Sequence, residues 1–123
     1  MTTRILIVDD NRLTREQLKD ILVADGFEIA GEAIQGREAV KQYQDLKPDL
    51  VIMDIVMPDM DGVRATRAIL KADPDAKIVI CSVLGRESLV MDAIDAGAKD
   101  YVGKPFEGAD VIQAIKRALA ARQ

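Results

Sequence analysis

Three aspartates, a serine and a lysine carry most of the chemistry this chain could do. Asp9 and Asp10 follow directly on the apolar run Ile5 to Val8, and Asp54 follows Leu50 to Met53. Ser82 follows Ile78 to Cys81, and Lys104-Pro105-Phe106 lies just beyond Tyr101-Val102. If these runs are strands of one sheet, three carboxylates meet at one edge with a hydroxyl and an ammonium beside them. At a separation of about 4 Å and an effective dielectric of about 20, each like-charged pair repels by about 4 kcal/mol, so the cluster needs a proton, a cation or an ammonium. The chain contains no histidine, which removes the commonest general base and transition-metal ligand. An all-oxygen donor set suits a hard ion, Mg²⁺ or Mn²⁺, which keeps waters and open positions for a substrate phosphate. The competing reading is that Asp9 and Asp10 cap the next helix, where Asp favours the positive helix end. Capping leaves Asp54 unexplained. Taken singly, Ser82 or Lys104 would be ordinary surface residues.

The elements that must position these groups are legible as an alternation. Five apolar runs, Ile5 to Val8, Ile29 to Gly31, Leu50 to Met53, Ile78 to Cys81 and Tyr101 to Val102, are separated by helical patterns. The first, third and fourth runs are continuously apolar and β-branched, as strands buried on both faces should be. Leu18, Ile21 and Leu22; Ala39, Val40, Tyr43 and Leu46; Ala65, Thr66, Ile69 and Leu70; and Val111, Ile112, Ile115 and Leu119 each repeat at helical spacing. Turn signals at Asp25-Gly26, Lys47-Pro48-Asp49, Asp73-Pro74-Asp75 and Ala96-Gly97 fall where helix should give way to strand. The expectation is an α/β fold, a doubly wound, flavodoxin-like parallel sheet of five strands in the order 2-1-3-4-5 with five helices. In such a sheet the ligand site lies beyond the carboxyl ends of the strands, at the switch point between the first and third.

Composition narrows the function further. A chain of 123 residues fits one domain, expected over residues 1–123, with 49% apolar and 31% charged residues and no low-complexity tract. No apolar run approaches the ~20 residues needed to cross a bilayer and the start carries no signal-like stretch, so a cytoplasmic protein without membrane contact is expected. The net charge of −4 argues against nucleic acid as a direct ligand of this domain. The single Cys81 lies in a strand-like run and reads as a buried thiol.

The constellation Asp9-Asp10, Asp54, Ser82 and Lys104-Pro105 resembles the receiver domains of response regulators. The segments ILIVDD, KPDLVIMDIVMPDMDG and AGAKDYVGKPF match that family's strand ends and turns in order and spacing over nearly the whole chain. The resemblance implies a two-component signalling protein rather than an enzyme, one that catalyses only its own phosphorylation and dephosphorylation. Asp54 would be the nucleophile toward a phosphohistidine on a partner histidine kinase or phosphotransfer protein, or toward a small phosphodonor. Asp10, Asp54 and the backbone carbonyl of Val56 would bind Mg²⁺, with Asp9 acting directly or through water. Ser82 and Lys104 would grip the phosphoryl oxygens, the Lys104-Pro105 bond would be cis, and Tyr101 would rotate toward Ser82 to signal the change. The responding face would comprise the fourth helix, fifth strand and fifth helix, with Leu89, Val90, Ile94, Tyr101, Gly103 and Phe106 meeting an output protein; much of that apolar surface could equally be core.

Against the single-domain, CheY-like chemotaxis members of the family, Gly103 stands where a bulkier strand residue is usual. Val56 and Leu84, two residues beyond Asp54 and Ser82, offer no polar group to orient an attacking water, so slow self-hydrolysis is expected. Three readings differ in class: a stand-alone protein of chemotaxis or a phosphorelay, monomeric or pairing when phosphorylated; the input domain of a DNA-binding regulator; and a Mg²⁺-dependent phosphatase with an aspartyl nucleophile. The chain ends in a helical pattern with no linker begun, which favours the first. The third would place its two aspartates two residues apart, whereas Asp9 and Asp10 are adjacent.

Overall fold

The computed structural model describes residues 2–120, which form strands β1 (Arg4–Val8), β2 (Glu28–Ala33), β3 (Leu50–Asp54), β4 (Ile78–Val83) and β5 (Asp100–Lys104). Helices α1 (Arg12–Ala24), α2 (Gly36–Leu46), α3 (Gly62–Ala72), α4 (Glu87–Ala96) and α5 (Gly108–Ala120) alternate with them. The strands pair in parallel in the order β2-β1-β3-β4-β5, as the apolar runs predict. Among the described residues no helix is long and apolar enough to cross a membrane.

Side chains alternate across a strand, so each central strand feeds two cores. Leu6, Val8, Val51, Met53, Ile78 and Ile80 face α2, α3 and α4, while Ile5, Ile7, Leu50, Ile52, Val79 and Cys81 face α1 and α5. This two-sided burial is why those strands lack an apolar-polar alternation. The edge strands differ: β2 has one fully buried position, Ala33, and β5 has one, Val102.

Helix ends are fixed by local chemistry. Asn11, not the preceding aspartates, caps α1, its side chain accepting from the Thr14 amide at 3.2 Å. Asp61 caps α3 by accepting from the Arg64 amide at 2.8 Å. α2 closes on Lys47 in the left-handed region (φ 47°) before Pro48, and α4 closes on Gly97 at φ 124°. At Gly97 a side chain would be strained in any case, and its Cβ would lie 2.6 Å from Leu70.

Candidate functional site

The register of the sheet gathers the predicted groups. Val8 of β1 pairs with Met53 of β3, which sets Asp9 beside Asp54, and Asp54 in turn pairs with Cys81, one residue before Ser82. Ser82 pairs with Gly103, one residue before Lys104. Five residues dispersed over most of the chain therefore share one edge, because β1 and β3 are neighbours while their helices leave to opposite faces.

Asp9, Asp10 and Asp54 each offer a carboxylate oxygen, and the three lie within 4.8 Å of one another. They are graded in exposure: Asp9 is buried, Asp54 half-buried and Asp10 exposed. Lys104 supplies the compensating charge, its Nζ 2.7 Å from Asp9 Oδ2 and 3.6 Å from Asp54 Oδ1. Both oxygens of Asp9 are engaged, Oδ2 with Lys104 and Oδ1 with the Asn11 amide at 2.8 Å. The capping reading is thus corrected: Asp9 accepts from the helix cap residue and turns its other oxygen to the site. Burial raises the Asp54 carboxyl above its ordinary range; Lys104 pulls it down, Asp9 pushes it further up, and the Ile55 and Val56 amides lower it. Burial would lower the Lys104 ammonium, but its hydrogen bond to Asp9 and the charge of Asp54 outweigh that and hold it above the usual range. The donor set is all oxygen, three carboxylates with no nitrogen or sulfur ligand, which fits a hard divalent cation.

Ser82 is buried, and its hydroxyl donates to the Val83 carbonyl at 3.2 Å. The Lys104-Pro105 bond is cis. Tyr101 is 55% exposed and turned outward, beside a groove of about 300 Å³ lined by Ser82, Leu84, Val90, Met91, Tyr101 and Gly103. A Cβ at Gly103 would meet no atom within 4 Å, so its absence keeps one wall of that groove low.

The structure divides the expected output face: Tyr101 and Gly103 are exposed, Leu89, Ile94 and Phe106 half-buried, and Val90 alone is withdrawn into the core. Val90 is buried, and Leu89 and Ile94 pack on the core formed with α2 and α3. Phe106 packs on the opposite core beside α1 and α5. The apolar surplus of α4 is mostly an inward stripe, Leu89, Val90, Ala93 and Ile94, at helical spacing. The exposed apolar residues here are Val83, Leu84, Met91 and Tyr101, of which Leu84 is 90% exposed.

Arg15 and Asp59 escaped the sequence reading as positioning residues, and Gly62, part of the segment that carries the family resemblance, gained its packing role only in the structure. Arg15 donates to the Asp9 carbonyl at 2.9 Å and to Glu32 at 3.1 Å, tying the β1–α1 turn to β2. Gly62 packs so closely on β3 that a Cβ there would lie 2.6 Å from the Asp54 carbonyl oxygen. Asp59, in the β3–α3 loop, accepts from the amides of Gly36 and Arg37 at the start of α2. The only sequence signal for the last was a helix start, Gln35-Gly36, without a good capping side chain of its own.

The family model for the response regulator receiver domain matches residues 5–116. The chain is 51% identical over 117 residues to the chemotaxis protein CheY of Thermotoga maritima, covering 95% of this chain and 98% of that protein. It is 50% identical to CheY of Bacillus subtilis, covering 97% and 99%. Its structure is similar to CheY in the CheX-CheY-BeF₃-Mg²⁺ complex of Borrelia burgdorferi, with a TM-score of 0.91 and 37% identity over 97% of this chain and 90% of that one. Sheet order, a carboxylate triad facing a lysine, and these similarities agree: the chain belongs to the response regulator receiver domain family, as a CheY-like receiver of two-component signalling.

Proposed function

We propose that Asp54 is the phosphoacceptor of a cytoplasmic chemotaxis switch, and that Asp10, Asp54 and the backbone carbonyl of Val56 hold Mg²⁺ or Mn²⁺ beside it. The observation that supports this best is the position of Asp54: half-buried, within 4.8 Å of two further carboxylates and 3.6 Å from the Lys104 ammonium. The cation, when bound, offsets negative charge on the transferring phosphoryl oxygens. Asp54 attacks the phosphorus of a phosphohistidine on a histidine kinase or phosphotransfer protein. The P–O bond to Asp54 forms, the P–N bond breaks, and the imidazole nitrogen leaves with the electron pair and takes up a proton. Lys104 moves from Asp9 toward the new dianion, and the Ser82 hydroxyl turns from the Val83 carbonyl to donate to another oxygen. Asp9 holds Lys104 in reserve until then.

The displacement of Ser82 opens the groove beside Tyr101, and rotation of that ring into it changes the surface of α4, β5 and α5 for an output protein. Release is hydrolysis: water attacks phosphorus, the P–O bond to Asp54 breaks, and carboxylate and phosphate are restored. The chain turns over no other substrate. Incubation with acetyl phosphate and Mg²⁺ tests the reading. It requires one acid-stable, hydroxylamine-sensitive phosphoryl group per chain, absent in Asp54→Asn and without Mg²⁺. Label that persists in Asp54→Asn, or many-cycle hydrolysis of small phosphate esters, would sink it.

A further inference from the structure

The β3–α3 loop, residues 55–61, is held at its ends and at one point between. At its ends, the Gly62 amide donates to the Ile55 carbonyl at 2.7 Å, and Asp61 caps α3. In between, Asp59 grips another element: its Oδ1 accepts from the Gly36 amide at 2.8 Å and its Oδ2 from the Arg37 amide at 3.0 Å. The neighbouring Met60 lies so close that a Cβ on Gly36 would be 2.8 Å from both its Cβ and its carbonyl oxygen. The first amides of a helix have no intrahelical partner, and Gln35 at the cap position of α2 makes no side-chain bond to them. An anionic carboxylate at that end is favoured by the helix dipole as well. Asp59 therefore caps α2 from a loop 23 residues away in sequence, and the same two bonds anchor the stretch that carries Val56.

We infer that Asp59 is a positioning residue for the phosphoacceptor: by gripping the Gly36 and Arg37 amides it fixes the loop from Val56 to Met60, and so sets cation affinity and phosphoryl acceptance at Asp54. This rests on the proposed roles of Asp54 and of the Val56 carbonyl. A backbone ligand is only as well placed as its loop, because the carbonyl has no side-chain torsion with which to correct a displacement. A cap that served stability alone would leave the cation site untouched.

The test compares the full chain with Asp59→Ala and Asp59→Asn, reading Mg²⁺ affinity by titration calorimetry, the Asp54 phosphorylation rate with acetyl phosphate, and hydrogen exchange at the Gly36 and Arg37 amides. Asp59→Ala is expected to speed exchange at both amides, weaken Mg²⁺ binding by about tenfold, as loss of an outer-shell partner does, and slow phosphorylation in parallel. Asp59→Asn keeps one carbonyl acceptor but no charge, so it should recover a large part of that affinity. Faster exchange in Asp59→Ala with unchanged Mg²⁺ affinity would reduce Asp59 to a helix cap and overturn the inference. Asp59→Asn no better than Asp59→Ala would assign the effect to charge rather than grip, and overturn it too. Failure of the unmutated chain to bind Mg²⁺ or accept phosphate would remove the underlying site reading, and the inference with it; failure confined to the Asp59 variants removes the inference alone.

Discussion

Gly62→Ala isolates how closely the strand that carries Asp54, the proposed phosphoacceptor, is packed. A Cβ at Gly62 would lie 2.6 Å from the Asp54 carbonyl oxygen and 2.9 Å from the Ile55 Cα, both backbone atoms that cannot rotate away. Ordinary contact begins near 3.4 Å, so the end of β3 or the start of α3 must shift by about 0.8 Å. Overpacking of this kind costs about 1–3 kcal/mol, which for a domain of this size lowers Tm by about 3–5 °C per kcal/mol. Helix propensity acts the other way, since Ala exceeds Gly by up to about 1 kcal/mol, though less at a first-turn position. A loss of about 1–2 kcal/mol is the net expectation. The functional effect should be larger: a displacement approaching 1 Å at a reacting group costs up to about 100-fold in rate, so acetyl phosphate should label Asp54 about ten- to a hundredfold more slowly. Gly103→Ala is the control, because its Cβ meets nothing within 4 Å; it should stabilise by about 0.4–1 kcal/mol through the unfolded chain. Urea unfolding and phosphorylation kinetics on both variants decide the matter. Gly62→Ala as stable as wild type and labelled at the wild-type rate would refute the reasoning.

Three further outcomes follow from the same geometry. Mg²⁺ at about 100 times its Kd should stabilise the fold by about 2.7 kcal/mol, reversibly with EDTA and less so in Asp10→Asn; identical melting with and without Mg²⁺ would argue that the aspartates hold no cation. Burial pushes the Cys81 thiol up from 9.0 to about 12, so its thiolate at about pH 8 should be about a thousandfold scarcer than in the unfolded chain. Because the folded value is raised, the protonated thiol's contribution to stability is full below about pH 9 and is lost as pH climbs toward 12; rapid labelling of the native protein by a thiol reagent at about pH 8 would contradict that burial. Polar residues at Val56 and Leu84 together should shorten the phosphoaspartate lifetime by about tenfold or more by orienting the attacking water, a change measured from the decay of label in Mg²⁺; an unchanged lifetime would remove the stated reason for slow self-hydrolysis.

Most of the sheet was legible because strands buried on both faces have only one way to be written. Ile5 to Val8, Leu50 to Met53 and Ile78 to Cys81 feed two cores at once, so every position is apolar. Helix faces were legible for the matching reason: Leu18 and Leu22, or Ala39 and Tyr43, recur at the helical period because one side of each helix is inward. α4 left two readings open because Leu89, Val90 and Ile94, which pack inward, look the same in sequence as a docking surface when the core beneath them is unseen. The cap of α1 could not be read from residue type alone: Asp9, Asp10 and Asn11 are all good caps, and only geometry shows that Asn11 takes the Thr14 amide.

The sequence by itself singled out which residues gather at the candidate site. Carboxylates, a hydroxyl and a lysine placed just after apolar strands of a β/α alternation must emerge at the same sheet edge, since parallel strands all point one way. Tertiary structure decided how those residues are held. Asp9 keeps Lys104 at 2.7 Å, Gly62 presses on the Asp54 backbone, and Asp59 grips α2 across the loop. The first and third join elements far apart in the chain and the second is a close approach of consecutive ones; all are set by register and packing, and no local pattern of residues encodes a distance.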